Sequence, residues 1–250
     1  MRALFVSDVH VSAARPGAVS ALIALLGAAM GRIDALYVLG DLFDQWLGDD
    51  DRTAPYPEVE TALKTIADAG ARVSAHHGNH DFLLGTAFAE RVGCAIVAEQ
   101  ELIDLDGVST LLLHGDILCT DDREYQAYRA HTRVAAHQAA FLSLPFPQRE
   151  AQALALRQSA AELKQLKSDD IMDVNSQAVV QLLDETGAAR MIHGHTHRPA
   201  VHTIDGNAHP RERIVLGDWY QGSGKVALHE RAGEVCLMSA QEAADRLTRG

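Results

Sequence analysis

The chain has 250 residues, 47 % of them apolar, and a formal net charge of −12. That length bounds one large domain or a domain with an insertion. The acidic balance excludes a generic nucleic-acid binder, because nothing overall would neutralise phosphates, whereas acidic residues gathered at one place would hold cations.

The cysteines Cys94, Cys119 and Cys236 form no Cys-x-x-Cys pair, which fits structural thiols in a reducing compartment. The first apolar run ends at Asp8, too short for a secretory leader. No stretch approaches the ~20 apolar residues needed to span a bilayer. A cytosolic chain, free or peripheral to a membrane, is expected.

Residues 3–7 read as a buried strand and residues 18–29 as a helix. Residues 35–39 are a second strand closed by Gly40-Asp41, followed by an acidic loop and a helix over 59–69. A third strand, 72–75, runs into His76-His77-Gly78-Asn79, and 86–92 is helical. Strands follow at 95–97, 102–105 and 109–113, with Asp106-Gly107 as a hairpin turn. Two helices come next, 122–141 and 148–167, separated by Pro145 and Pro147, then a third at 174–186. The remainder predicts strands at 190–193, 201–204, 213–216, 225–230 and 234–238, and a helix over 240–249 capped by Ser239. This order predicts an α/β core with two sheets, residues 1–120 and 169–250, interrupted by a helical cap at 121–168.

Each cluster of potential ligands follows a predicted strand. Asp8 and His10 follow the first, Asp41 the second and Asn79 the third; His114 follows 109–113, and His195 and His197 follow 190–193. Sites in α/β sheets lie beyond the carboxyl ends of strands, so five stretches converge on one edge. A set of oxygen and imidazole donors without thiolate suits Mn, Fe or Zn. Seven donors exceed one ion's need; two ions bridged by one carboxylate, Asp41 being the natural bridge, accommodate them. Such a pair would lower the pKa of a water and clamp a phosphoryl oxygen for in-line attack on phosphorus.

Asp8-Val9-His10, Gly40-Asp41-Leu42-Phe43-Asp44, Gly78-Asn79-His80-Asp81, His114-Gly115-Asp116 and Gly194-His195-Thr196-His197 resemble, in order and complete, the motifs of the calcineurin-like metallophosphoesterases. The resemblance implies a four-layer αββα sandwich. It also implies one metal held by Asp8, His10, Asp41 and His197, and another by Asp41, Asn79, His114 and His195. A narrower resemblance, to the UDP-2,3-diacylglucosamine pyrophosphatases of lipid A biosynthesis, covers almost the whole chain. It runs through Ala35–Phe43, Gly48-Asp49-Asp50-Asp51, Leu113–Asp122, Ile171-Met172-Asp173-Val174-Asn175 and Ile192–His202. It implies two Mn2+ per chain, an acylated UDP-sugar substrate cleaved to UMP and 2,3-diacylglucosamine 1-phosphate, and work at the cytoplasmic face of the inner membrane. No nucleic acid or obligatory protein partner is expected.

Residues 123–167 carry seven Lys/Arg against three Glu, with Tyr125, Tyr128, Phe141, Leu142, Leu144 and Phe146 among them. A basic amphipathic element suits an anionic, acylated substrate or an anionic membrane surface; a plain helical hairpin with a solvated basic face is the simpler alternative. The resemblance implies substrate contacts from Asn79, His80, Asp122, Tyr125, Arg157, Lys164, Lys167 and His195. Two positions depart from that pattern: His80 stands where Arg is usual, and Ala160 where Ser is frequent. His80 with Asp44 resembles instead the acid pair of general phosphomonoesterases and phosphodiesterases, which is the alternative function. A non-catalytic scaffold of the same fold is a third reading, disfavoured because no ligand is missing. The remaining histidines, among them His76, His77, His131, His137, His202, His209 and His229, read as structural or surface, and Trp219 and Tyr220 as core or rim.

Overall fold

The computed structural model describes residues 1–164, 173–204, 210–230 and 233–249, apart from the side chains of 159–164 and 221. The first half alternates strand and helix: β1 (Ala3–Val6), α1 (Pro16–Ala29), β2 (Ala35–Leu39), α2 (Tyr56–Asp68), β3 (Arg72–His76), α3 (Thr86–Val92) and β4 (Ala95–Ile96). A hairpin, β5 (Gln100–Leu105) and β6 (Val108–Leu113), leads to the helices α4 (Arg123–Thr132), α5 (Ala135–Leu142) and α6 (Phe146–Lys164). Then come α7 (Ser176–Thr186), β7 (Arg190–His193), β8 (Ala200–Ile204), β9 (Arg211–Val215), β10 (Lys225–His229), β11 (Val235–Ser239) and α8 (Ala240–Arg249).

The strands form two sheets, ordered β11-β10-β1-β2-β3-β4 and β5-β6-β7-β9-β8. Strands β1 to β4 are parallel, as are β6, β7 and β9. Alternation along β1 and β2 sends Leu4, Val6, Leu36 and Val38 into one core with α1, α2, α3 and α8. Ala3, Phe5, Ala35, Tyr37 and Leu39 go the other way and meet Leu112, Ile192 and Ile214 of the second sheet. The outer face of that sheet buries Leu111, Leu113 and Met191 against Val179, Leu182 and Leu183 of α7. A strand buried on both faces reads as a continuous apolar run, and β1 and β2 do; β7 is equally buried, but between Arg190 and His193 only Met191 and Ile192 are apolar. The layers are helix, sheet, sheet, helix, the αββα order expected.

The helix expected over 122–141 is broken at Arg133 and Val134, so among the described residues three α-helices rather than two lie between β6 and α7. Val134 is extended (φ −69°, ψ 120°), and Arg133, which ends α4 with its backbone still helical, donates from its guanidinium to the Gly78 carbonyl at 2.9 Å. Asn175, expected inside a helix, caps α7 by accepting from the N–H groups of Gln177 and Ala178. Lys167 and His209 lie outside the described residues, as do Ile171 and Met172.

Helices α4 and α5 bury no residue fully, so burial alone does not hold them. Arg149 fastens the start of α6 and the α5–α6 joint to the core: it is buried, donates to the carbonyls of Leu47 and Leu144, and pairs with Asp50. Its planar fork matches both acceptors at once, which a lysine cannot do. Arg149→Met should cost about 2 kcal/mol. Hydrogen exchange should quicken in α5 and α6 and stay unchanged in β1 and β2; uniform acceleration would contradict this anchoring role.

Candidate metal centre

Parallel β1, β2, β3, β6 and β7 bring the five motif loops to one edge. The loops are knitted there by backbone bonds: Asp8 N–H to Gly40 O, His10 N–H to Asp41 O, and Gly194 N–H to His114 O at 2.9–3.2 Å. Asp8, His10, Asp41, His195 and His197 all have φ between 49° and 67°. Among the described non-glycine residues only Asp106, in the β5–β6 turn, shares that conformation. Left-handed backbone at a non-glycine residue is costly and persists only where surroundings enforce it. Two glycines do part of the enforcing. A Cβ at Gly78 would lie 2.1 Å from Asp41 Oδ1, and one at Gly194 2.1 Å from Asp8 Oδ2.

The side chains converge as two groups sharing Asp41. Asp41 Oδ2 lies 3.7 Å from His10 Nε2 and 3.6 Å from His114 Nε2. On the first side, His10 Nε2 is 3.3 Å from His197 Nε2, which is 3.2 Å from Asp8 Oδ1. On the second, Asn79 Oδ1 is 3.0 Å from His114 Nε2 and 2.8 Å from His195 Nδ1. Asp8, His10 and His197, and likewise Asp8, Asp41 and His114, offer ligand atoms that all lie within 4.8 Å of one another.

These residues fit divalent cations. His114 Nδ1 donates to the Leu39 carbonyl at 2.8 Å, so in the neutral ring the Nε2 lone pair faces Asn79 Oδ1 and Asp41 Oδ2. Acceptors crowded together repel unless a cation or proton lies among them. His10 Nδ1 is buried without a hydrogen-bond partner. Oxygen and imidazole donors without thiolate match Mn, Fe or Zn.

The charges say the same. Burial alone would lower His114, but Asp41, Asp8 and Asp116 more than reverse this and hold it up at about 9. Burial would raise Asp8 and Asp41; the hydrogen bond with His197 and the nearby imidazoles bring Asp8 well below the ordinary range, and His114, His80 and His10 lower Asp41. Burial takes His10 and His195 down to about 4, keeping both rings neutral and ready to ligate. Without metal, His114 therefore keeps its proton through neutral pH. Because its folded pKa lies above its unfolded one, that proton stabilises the metal-free fold fully below about 6.5 and no longer above about 9. A divalent ion taken up at His114 Nε2 would have to displace it. Calorimetry at pH 7.5 in buffers of differing ionisation enthalpy should show about one proton released, with affinity rising toward pH 9. An affinity flat from pH 7 to 9 would contradict the assignment.

The other expected residues surround this centre. His80 donates its backbone N–H to Asp41 Oδ1 at 2.8 Å and its Nδ1–H to the Asp44 carbonyl oxygen at 2.8 Å. The Asp44 carboxylate faces Arg157 of α6, at 2.7 Å, rather than His80. A carboxylate–imidazole pair between Asp44 and His80, as the alternative function requires, is not what the side chains form. Asp122 caps α4 by accepting from Tyr125 N–H at 3.0 Å. The Tyr125 ring is tilted over His195 with centroids 5.7 Å apart. Lys164 is described in its backbone only.

Asp81 and Asp116 stand within the motifs, but their roles are visible only in the fold. Asp81 is fully buried; its Oδ1 accepts from Gly78 and Asp41 N–H, and its Oδ2 from Leu42 and Phe43 N–H, at 2.7–3.3 Å. Asp116 accepts from the Tyr125 hydroxyl and Arg129 Nε, both at 2.8 Å, and so ties α4 to the metal loops. Ser7 donates to Asp8 Oδ2 at 2.6 Å, and Asp218 lies 3.6 Å from His197 Nδ1. An acid inside a metal motif was the available signal for Asp81 and Asp116; nothing local marked Ser7 or Asp218. Trp219 is core, its indole N–H on the Ser7 carbonyl, and Tyr220 is on the rim.

A two-sheet sandwich gathering oxygen and imidazole side chains at its strand ends defines the class of metal-dependent phosphoesterases. The calcineurin-like phosphoesterase family model matches residues 1–199, and the chain belongs to that family. It is similar to the UDP-2,3-diacylglucosamine hydrolase of Cellvibrio japonicus (strain Ueda107), 44 % identical over 88 % of this chain and 92 % of that protein. Proteins of the same name in Xanthomonas axonopodis pv. citri (strain 306) and Klebsiella pneumoniae subsp. pneumoniae are 46 % and 41 % identical. They align over 89 % and 90 % of this chain, and each over 94 % of its own length.

Proposed function

We propose that the chain hydrolyses the pyrophosphate of UDP-2,3-diacylglucosamine, with water attacking the α-phosphorus, to UMP and 2,3-diacylglucosamine 1-phosphate. The observation that carries this is Asp41 placed between two ligand groups, in a chain whose relatives bear that hydrolase's name. Two Mn2+ held by Asp8, His10, Asp41 and His197, and by Asp41, Asn79, His114 and His195, would supply Lewis acidity at the phosphoryl oxygen and to the attacking water.

The chain's own residues do the rest. Ser7 and the His195 N–H hold the Asp8 carboxylate by hydrogen bonds, and the His80 N–H holds that of Asp41. His80 keeps its Nδ1–H on the Asp44 carbonyl, and a proton on its other ring nitrogen would stabilise the departing phosphate as arginine would. A sugar phosphate leaves as a stable anion and needs no proton from the protein.

Residues 121–168 act as a cap on a core of 1–120 and 169–250. Tyr128, Val134, Leu142, Leu154 and Leu156 of α4–α6 and their joints are 41–58 % exposed, which provides apolar surface for acyl chains beside the cation of Arg157. The same surface, with the basic residues, supports peripheral contact with an anionic membrane at its cytoplasmic face. No helix among the described residues is long and apolar enough to cross a membrane.

The test is turnover by the purified, Mn2+-loaded protein. UMP release from UDP-2,3-diacylglucosamine should exceed turnover of aryl phosphates by orders of magnitude. Preference for aryl phosphates would instead favour the general phosphoesterase reading built on His80 and Asp44. His80→Arg should keep UMP release within about tenfold, and His80→Ala should lose about 10²-fold; equal loss in both variants would remove the cationic role.

A further inference from the structure

A cavity of about 290 Å³ lies beside the metal centre and has no part in the chemistry above. Its wall includes Thr196, the residue between the metal-facing imidazoles of His195 and His197. Thr196 Oγ1 is buried without a hydrogen-bond partner. Arg213, itself buried, enters from β9, and His202 of β8 is its cross-strand partner on the same face. The Arg213 guanidinium donates to His193 Nε2 at 3.2 Å; His193 is fixed as that acceptor because its Nδ1–H donates to Gly194 O at 2.8 Å. Arg198 and Asp173, joined at 2.6 Å, also line it, and Pro199 adds apolar surface.

The cavity is too small for a diacylated sugar and suits one small planar group. Its donors are guanidinium and hydroxyl, and its acceptor is a carboxylate. The edge of uracil presents the complement: two carbonyl acceptors flanking one N–H donor. A buried hydroxyl lacking a partner gains most from a ligand that supplies one.

We propose that this cavity receives the pyrimidine base of the nucleotide half of the substrate, with Thr196, Arg198, Arg213 and Asp173 reading the base edge and His202 and Pro199 lying against its face. The proposal rests on the substrate reading above. It gives the two halves of the substrate separate berths: acyl chains under α4–α6, base behind the His195–His197 loop. It also revises His202 from a surface histidine to a ligand-facing one.

Calorimetric binding to the Mn2+-loaded protein tests this independently of turnover. UMP should bind at least about tenfold more tightly than ribose 5-phosphate, which keeps the phosphate and sugar but lacks the base. Thr196→Val and His202→Ala should each weaken UMP about tenfold while leaving inorganic phosphate within about twofold. Equal affinity of UMP and ribose 5-phosphate would overturn the proposal, even in an enzyme that turns over the lipid nucleotide. Parallel loss of UMP and phosphate in both variants would overturn it too, showing damage to the metal centre. Discrimination for UMP without any turnover of UDP-2,3-diacylglucosamine would leave the base site standing and remove the substrate reading.

Discussion

Asp41→Asn should lower UMP release at least about 10³-fold, some 4 kcal/mol of barrier, while the protein stays folded. Asp41 Oδ1 is committed to the His80 N–H at 2.8 Å, and Oδ2 stands 3.6 and 3.7 Å from the two imidazoles. An asparagine that keeps the first bond must turn its NH₂ toward both ligand groups, donors where cations belong. Metal content should fall from about two ions per chain to at most about one. In the metal-free variant His114 should lose the carboxylate that, foremost among its neighbours, offsets burial, so its pKa should drop from about 9. NMR titration of the imidazole would show it. Full metal content in an inactive variant would mean that Asp41 acts by some route other than bridging.

Asp81→Asn is the second large effect, and it should act without touching a ligand. Burial and the neighbouring Asp41 charge push the Asp81 carboxyl up to about 6, against the four backbone N–H groups it accepts. Each carboxylate oxygen serves two of those donors. Whichever oxygen becomes NH₂, two buried N–H groups lose their acceptor and face a donor instead. The cost should be about 2–4 kcal/mol. The strand-end turns that carry Asp41 and Asn79 should loosen together, because Asp81 holds Gly78 and Asp41 by the same oxygen. Mn2+ affinity should therefore drop about tenfold or more. A core variant of matched stability loss, Leu247→Ala on α8, is the control and should keep its Mn2+ affinity. Equal weakening in the two would reduce Asp81 to general stability.

What was readable from the sequence followed from short-range signals. Apolar runs ending in Asp, Asn or His located the strands and their chemistry at once, because a buried parallel strand has one pattern and its carboxyl end one use. The hairpin at Asp106-Gly107 was visible because both residues take positive φ, which that pair tolerates. The break at Arg133 was not, since its partner is the Gly78 carbonyl, 55 residues away. Asp81 was hidden for a related reason: its partners are backbone N–H groups, which carry no side-chain signature. The Arg157 to Asp44 contact joins elements 113 residues apart. It redirects the very carboxylate that local reading paired with His80. The helix expected from 148 begins at Phe146, since Pro147 fits a first helical turn, and nothing local said that Arg149 would turn inward on Leu47 and Asp50.

The most direct test is a single turnover of UDP-2,3-diacylglucosamine by the Mn2+-loaded protein in ¹⁸O-water, with the products resolved by mass. Attack on the α-phosphorus places the heavy oxygen in UMP and leaves 2,3-diacylglucosamine 1-phosphate unlabelled. Heavy oxygen in the sugar phosphate, or no products with both ions bound, would contradict the account.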